Sequence, residues 1–198
     1  MVHLISERLA VLFFGNRKQS LIDIYTYGIE IILSSLVETV VLILIGIFLK
    51  EIFETFLFIV FFSLLRVLTG GYHASTFLKC VFITAAVLLL TLLIYEILYT
   101  CYFELLLLID LINCFVLLFL ILFWGPIENK NKKTENKVDK KIMASSIVCV
   151  ENFLFITLYF LLDFKESLVV IPTQFFVGFL MILELIRKAG EKNETHNL

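Results

Sequence analysis

Charged residues, proline and glycine are all scarce in this chain of 198 residues. Only 17% of the residues are charged, 2 are proline and 8 are glycine, whereas 61% are hydrophobic. Soluble domains carry about 25% charged and about 45–50% apolar residues. The composition therefore excludes a water-soluble enzyme and a disordered chain. The formal net charge of −2 gives no electrostatic reason to expect nucleic acid as a partner.

Cysteine is also sparse, and its spacing argues against disulfide bonds. The four cysteines are Cys80, Cys101, Cys114 and Cys149. They form no CxxC pair and no spacing typical of a secreted scaffold, so we expect free thiols. Nothing near Cys80 completes the three or four ligands that zinc requires, and we expect neither a metal nor another cofactor.

Long apolar runs predict the fold class, an all-α polytopic membrane protein with about six transmembrane helices. A spanning helix needs about 20 mostly apolar residues. Suitable runs lie at 24–49, 51–68, 79–99, 102–124, 143–163 and 168–187. The second run is short and carries Glu51 and Glu54 at one end and Arg66 at the other, so a tilted or re-entrant segment is the alternative there.

We interpret residues 1–198 as one membrane domain with two segments outside the spans. Residues 1–22 predict an amphipathic helix on the membrane surface, because apolar residues recur at helical spacing from Leu4 to Phe13. Residues 128–141 hold six lysines and follow a helix stop, so they are interpreted as a solvated loop.

Basic residues predict the direction of the helices, because Lys and Arg collect on the cytoplasmic side of a membrane. With the lysine-rich loop inside and six spans, both termini and the loop between the second and third spans are also cytoplasmic. Lys50 and Lys165 alone then lie outside, which leaves 14 of the 16 basic residues inside. Five spans would break this agreement.

One stretch holds residues suited to a chemical reaction. His73 precedes Cys80 on the predicted cytoplasmic side, and an imidazole that removes a thiol proton creates a nucleophilic thiolate. Seven residues of straight helix would separate the two side chains by about 10.5 Å. His73 must therefore lie on a turn that folds back, which Gly70-Gly71 allows. Lys79 and the first turn of the third span add positive potential near the sulfur. The alternative is an interfacial histidine beside an inert cysteine.

The stretch Arg66…Gly70-Gly71-Tyr72-His73-Ala74…Cys80 resembles the accessory gene regulator protein B (AgrB) family, the membrane-embedded cysteine peptidases of Gram-positive quorum sensing. Chain length, the number of spans and the lysine-rich loop extend the resemblance. It implies a multi-pass cell-membrane protein, in a Gram-positive bacterium, that cuts an amphipathic propeptide on its C-terminal side. The cut proceeds through an acyl-enzyme thioester, and the product closes to a thiolactone or lactone.

The resemblance also assigns residues. It implies that Cys80 is the nucleophile and His73 the general base and acid. Arg66 and Gly71 match family positions that support the site. We place three flanking residues in the same supporting set: Gly70, Ser75 and Lys79. The implied partners are the propeptide, membrane lipids and a second copy of the chain in a homodimer.

Two other classes of function remain open. Glu38 and Asp110 lie within apolar runs, where an ionised carboxylate is costly, and a small transporter of a peptide or an ion would use them. We favour a structural interpretation, in which each carboxyl is hydrogen-bonded between helices, with Ser34, Ser35 or Asn113, deeper than the His–Cys pair. A non-catalytic membrane scaffold is the remaining class.

Overall fold

Helices make up almost all of the described chain. The computed structural model describes residues 2–14, 19–70, 76–127 and 136–196. Within these ranges there are seven α-helices: α1 (Val2–Phe14), α2 (Gln19–Leu49), α3 (Ile52–Thr69), α4 (Phe77–Tyr99), α5 (Phe103–Trp124), α6 (Lys137–Leu162) and α7 (Val170–His196). A short 3-10 helix, Lys165–Val169, precedes α7.

The predicted all-α membrane fold is confirmed. Six of these helices, α2 to α7, are long and apolar enough to cross a membrane. The doubtful second span is a continuous helix, α3, of 18 residues, which extends about 27 Å at 1.5 Å per residue. That length approaches the roughly 30 Å of a bilayer's hydrocarbon core, so α3 is, like the other five helices, long and apolar enough to cross a membrane.

Two helix boundaries differ from the expectation. The N-terminal helix ends at Phe14 and α2 begins at Gln19, so the surface helix is shorter than 1–22. The last part of the lysine-rich segment is helical, because α6 begins at Lys137. Lysine is a good helix former, and a spanning helix can extend into water without losing its backbone hydrogen bonds. Residues 128–135 lie outside the described part of the chain.

The bundle has a buried central helix and a peripheral one. In the most apolar 18-residue stretch of α7, 67% of the residues are buried, whereas in the same length of α2 only 11% are buried. The fully buried side chains include Phe58, Leu88, Leu117, Val148 and Met181, which come from five different helices. α2 packs on α1, α3 and α4, so most of its surface faces lipid and one side closes against the bundle.

Carboxyl groups gather at the end of the bundle where α3 begins. Glu54 is buried and accepts a hydrogen bond from the Tyr95 hydroxyl at 3.3 Å. Glu51 lies just before α3, outside the spans. Burial, and after it the neighbouring carboxyl groups of Glu54, Glu96 and Glu166, raise the pKa of Glu51 to about 7.

The raised pKa of Glu51 predicts a pH dependence of stability. The folded chain keeps this proton up to about pH 7, whereas the unfolded chain releases it near 4.5. The folded state then binds more protons between these values, so the free energy of unfolding falls as the pH rises from about 4.5 to about 7. We expect Glu51→Gln to flatten this dependence and to be more stable than the wild type at about pH 8.

Thermal unfolding in detergent, followed by the fluorescence of Trp124, measures this effect at about pH 5 and about pH 8. Glu104→Gln is the matched control, because Glu104 is an exposed carboxylate at the start of α5. Equal pH dependence in Glu51→Gln and the wild type would contradict the prediction.

Candidate active site

Cys80 lies in the first turn of α4. Thr76 caps this helix, and its Oγ1 accepts a hydrogen bond from the Lys79 backbone N–H at 3.4 Å. The Cys80 backbone N–H donates to the Thr76 carbonyl at 3.1 Å. The thiol is free and half-buried, and it lies near the positive end of the helix dipole.

A guanidinium contacts the Cys80 sulfur. Arg66 lies in the last turn of α3, and its Nη2 donates to Cys80 Sγ at 3.5 Å. Its Nη1 donates to Thr84 Oγ1 at 3.0 Å, and that hydroxyl donates to the Cys80 carbonyl at 3.1 Å. Arginine stays charged at any physiological pH, so a permanent positive charge faces the thiol.

Glu38 of α2 balances this positive charge. Its Oε1 lies 3.9 Å from Arg66 Nη1, and the two side chains are only 20% and 16% exposed. The Phe62 ring covers the guanidinium, with 5.4 Å from its centroid to Cζ. Pairing of this kind is what makes a charge tolerable within a spanning helix.

The expected partners of Glu38 were wrong. The sequence suggested Ser34 or Ser35, but the Ser35 hydroxyl donates to the Ile31 carbonyl on its own helix. Glu38 was also expected deeper than the reactive residues, whereas it lies beside Arg66, in the wall of the cavity that holds Cys80. Glu38 is therefore a member of the site.

A cavity of about 420 Å³ opens beside the sulfur. Pockets that bind small molecules have volumes of about 300–1,000 Å³. Its walls come from α2, α3, α4, the pair Pro126-Ile127 and the first turn of α6. The residues are Tyr27, Ile31, Ser35, Glu38, Thr39, Leu42, Phe58, Ile59, Phe62, Ser63, Arg66, Val67, Leu68, Gly70, Cys80, Thr84, Pro126, Ile127 and Lys140.

A backbone bridge fixes the end of α3 at this cavity. The Ile127 N–H donates to the Thr69 carbonyl at 2.9 Å, and the Gly70 N–H donates to the Arg66 carbonyl at 3.1 Å. Gly70 has a φ of +72°, and an added Cβ would collide with the Ile127 carbonyl oxygen. A glycine is thus required at position 70, whereas the turn predicted after it, through Gly71 to His73, lies outside the described residues.

The structure brings together three of the predicted site residues. Arg66, Gly70 and Cys80 line one cavity. Lys79 is exposed on the first turn of α4, and the cation that contacts the sulfur belongs to Arg66. Three predicted residues lie outside the described part of the chain: Gly71, His73 and Ser75. The pairing of His73 with Cys80 stays a prediction.

Sequence reasoning missed Thr84, and it missed Glu38 as part of the site. Thr84 follows Cys80 by four residues, a spacing that places two side chains on one helix face, so this signal was present. The position of Glu38 in an apolar run marked it as unusual, but its pairing with Arg66 was not readable, because that pairing depends on how α2 is rotated against α3.

Other buried carboxyl groups lie away from this cavity. Asp110 is 4% exposed, and its Oδ1 accepts no hydrogen bond. Asn113 was an expected partner, but it donates to the Ile171 carbonyl at 2.9 Å. Glu151, which the sequence analysis did not single out, accepts from Gln174 at 3.0 Å. Among the described residues, no group of three or more His, Cys, Asp or Glu is placed to hold a metal ion.

Comparison with known families identifies the chain. A family model described as AgrB, accessory gene regulator B, matches residues 6–186. The chain belongs to the AgrB family. Comparisons with curated proteins and with solved structures find no match. Membership supports a role in accessory gene regulator quorum-sensing peptide processing, and the matched range contains every residue that lines the cavity.

Because of the backbone bridge at Gly70, we expect that position 70 does not tolerate even the methyl group of alanine. Gly70 combines a φ of 72° with a ψ of −148°, a conformation that only glycine adopts readily and that costs other residues about 1–3 kcal/mol, and the collision with Ile127 adds to this cost. We expect Gly70→Ala to lower the free energy of unfolding of this AgrB protein by at least about 1 kcal/mol. Gly28→Ala is the control, because nothing lies within 4 Å of its added Cβ. Equal stability of the two variants would contradict the proposed strain.

The contact between Arg66 and the sulfur predicts how fast Cys80 is alkylated. In a variant whose other three cysteines are alanine, Arg66→Met removes the charged group that contacts the Cys80 sulfur. We expect alkylation by iodoacetamide at neutral pH to slow about fivefold, since a partly exposed charge contact contributes on the order of 1 kcal/mol.

Arg66→Lys keeps the charge, so its alkylation rate should lie between the other two. Thr84→Val removes one hydrogen bond of the guanidinium without removing the charge, and it is the matched control. A rate in Arg66→Met equal to that of the parent protein would show that the guanidinium does not act on the thiol.

Proposed function

We propose that this AgrB protein is a membrane-embedded cysteine endopeptidase that cuts a pheromone propeptide on its C-terminal side and promotes closure of the product to a thiolactone or lactone. The observation that carries the proposal is the free Cys80 thiol, in a cavity wall, 3.5 Å from the Arg66 guanidinium. A thiol beside a fixed positive charge is the arrangement that favours a nucleophilic thiolate.

The proposed reaction begins with proton transfer from the Cys80 thiol to His73, a role that rests on the family resemblance and on the turn that the sequence predicts at Gly70-Gly71. The thiolate attacks the carbonyl carbon of the scissile bond, and a sulfur–carbon bond forms as the carbonyl becomes an oxyanion. The carbon–nitrogen bond then breaks, and His73 returns its proton to the leaving amine. The products are a thioester on Cys80 and a released tail.

Arg66 is the proposed stabiliser of negative charge in this reaction. Two backbone N–H groups near the sulfur already have partners, since Lys79 donates to the Thr76 side chain and Cys80 to the Thr76 carbonyl. One nitrogen of the guanidinium contacts the sulfur. It therefore lies where charge develops, first on the thiolate and then on the oxyanion.

Ring closure follows if a thiol or hydroxyl of the propeptide attacks the thioester in place of water. For a thiol, one thioester replaces another, so the change in bond energy is small. Apolar side chains make up much of the cavity wall, and a site that excludes water disfavours hydrolysis. An amphipathic propeptide on the membrane surface also reaches Cys80 at raised local concentration.

We place Cys80 on the cytoplasmic side of a Gram-positive cell membrane. Lys140 lines the same cavity as Cys80, and Lys141 beside it donates to the Leu122 carbonyl at 2.7 Å. Lysines thus gather at this end of the bundle, as the positive-inside rule expects of a cytoplasmic face. A homodimer, with both termini in the cytoplasm, belongs to the same proposal.

Cleavage of a synthetic propeptide tests the proposal. The substrate carries an amphipathic leader, a cysteine-containing core and an acidic tail, and it is incubated with the full chain in proteoliposomes. We expect Cys80→Ala and His73→Gln to lower the cleavage rate at least about a hundredfold, because nucleophile and base act as one unit. Cys101→Ala is the matched control and keeps wild-type activity.

A thioester on Cys80, released by hydroxylamine and identified by mass spectrometry, supports the acyl-enzyme. Cleavage by Cys80→Ala at the wild-type rate would remove the enzyme hypothesis. Peptide or ion uptake that depends on Asp110, with no cleavage, would favour a transporter instead.

A further inference from the structure

Contacts at both ends fix how α5 lies against α6. At one end, Lys141 Nζ donates to the Leu122 carbonyl at 2.7 Å. At the other end, the rings of Phe103 and Tyr159 stack with their centroids 5.2 Å apart. The two helices are therefore antiparallel neighbours, and residues at equal distances from these contacts lie at the same level of the bundle.

This register places two thiols, Cys114 and Cys149, at the same level. Cys114 precedes Leu122 by eight residues on α5, and Cys149 follows Lys141 by eight residues on α6. Each is thus about 12 Å along its helix from the contact of Lys141 with Leu122, at 1.5 Å per residue. The two thiols are close enough to interact electrostatically. They therefore form a pair between α5 and α6, within the spanning segments.

Helix packing brings such a pair within the range of a disulfide. Packed helix axes lie about 8–10 Å apart, and each Cα lies about 2.3 Å from its axis. Facing Cα atoms of two helices thus come within about 3.4–5.4 Å of each other, and a disulfide requires about 4.4–6.8 Å. Both thiols are free in the structure, which is the reduced state of the pair.

A buried carboxyl group lies beside Cys114. Asp110 precedes Cys114 by one turn of α5, a spacing that places two side chains on one helix face, and the two groups interact electrostatically. Asp110 is 4% exposed, and its Oδ1 has no hydrogen-bond partner among the described residues. A buried acceptor without a donor is costly. The carboxylate is thus placed to accept the proton that a thiol must lose before it reacts.

Access to the pair is from lipid. Cys149 is exposed, whereas Cys114 is half-buried. Val150 and Phe153, which flank Cys149 on α6, are 54% and 69% exposed, so this surface of a spanning helix faces the hydrocarbon of the bilayer. Polar compounds are strongly disfavoured there. A reactant that reaches Cys149 must therefore be apolar.

We infer that Cys114 and Cys149 are a redox-active thiol pair, which a lipid-soluble quinone oxidises to a disulfide between α5 and α6. Two S–H bonds break and one S–S bond forms, while two electrons and two protons pass to the quinone, which becomes a quinol. Asp110 accepts the Cys114 proton as the sulfur–sulfur bond forms, and this proton then passes to the reduced quinone. The pair does not include Cys80, so the inference is independent of the proposed peptidase activity.

The test uses the reduced full chain in proteoliposomes, without oxygen, and the substituted quinone decylubiquinone, whose ring has no free position to which a thiol can add. Free thiols are counted with a maleimide after denaturation. We expect their number to fall from four to two, with one quinol formed per chain, and mass spectrometry to find Cys114 joined to Cys149. Oxidised glutathione, which is polar, should react at least about tenfold more slowly.

Variants at position 149 test the geometry of the pair. Cys149→Ser should keep all of its remaining thiols. Adding Val150→Cys to that variant restores a lipid-exposed thiol at nearly the same depth but turned about 100° around α6, and Cys114 should stay free. Cys101→Ala is the matched control and should still form the disulfide. Four free thiols in the oxidised wild type, a disulfide that includes Cys80 or Cys101, or a disulfide between two chains would overturn the inference.

Asp110→Asn tests the role of the carboxylate. An amide cannot accept the thiol proton, so the oxidation rate should fall at least about tenfold while the final yield of disulfide stays the same. Asn113→Ala, one turn further along α5, is the control for a disturbed helix contact and should keep the wild-type rate. A lower yield in Asp110→Asn, or an unchanged rate, would show that the carboxylate is not the proton acceptor of the pair.

Discussion

The Arg66 guanidinium is the interaction on which the arrangement of the site depends. It joins three helices, because it lies on α3, pairs with Glu38 of α2 and contacts Cys80 and Thr84 of α4. A charge within a spanning helix is tolerated only where other groups satisfy it. The need to satisfy Arg66 therefore orients α2 and α4 as well as α3. The same need brings a positive charge to the sulfur, so the structural requirement and the proposed chemistry coincide.

Stability and the candidate site depend on different helices. The most buried span, α7, lies in the interior, whereas α2 is mostly exposed to lipid and supplies one wall of the cavity. A helix with few buried contacts loses little free energy when it moves. Segments next to binding sites often have this low local stability. The backbone bridge between Gly70 and Ile127 holds the other side of the cavity in place.

Much of the fold was predictable from the sequence, because lipid imposes its constraint on every spanning residue. The length and hydropathy of the runs indicated five spans, and the balance of basic residues supported the sixth, α3, which hydropathy alone left in doubt. The start of α6 was missed because lysine is polar and is also a good helix former. Hydropathy detects the polarity of these residues but not their preference for a helix. Gly70 was predictable because one backbone conformation demands its residue type.

The site was less predictable, because it depends on the rotation of helices about their axes. A helix that is apolar on all sides does not show in its sequence which face meets its neighbours. Lys79 was expected to act on Cys80 because it is adjacent in sequence. Arg66, fourteen positions earlier, contacts the sulfur instead. Adjacent residues on a helix point in different directions, whereas a neighbouring helix can present a side chain directly.

The partners of Glu38, Glu54 and Glu151 distinguish the carboxyl group at the cavity from the two in the packed interior. Glu54 accepts from the hydroxyl of Tyr95 and Glu151 from the amide of Gln174, both neutral donors in the packed interior. Glu38 is paired with a cation, and it lines a cavity beside a thiol. A neutral donor completes the hydrogen bonding of a carboxyl group within the packed interior. A charge pair in a cavity wall also produces an electrostatic field inside the cavity. By this criterion Glu38 belongs to the site, although the sequence placed it with Asp110 as a structural carboxyl.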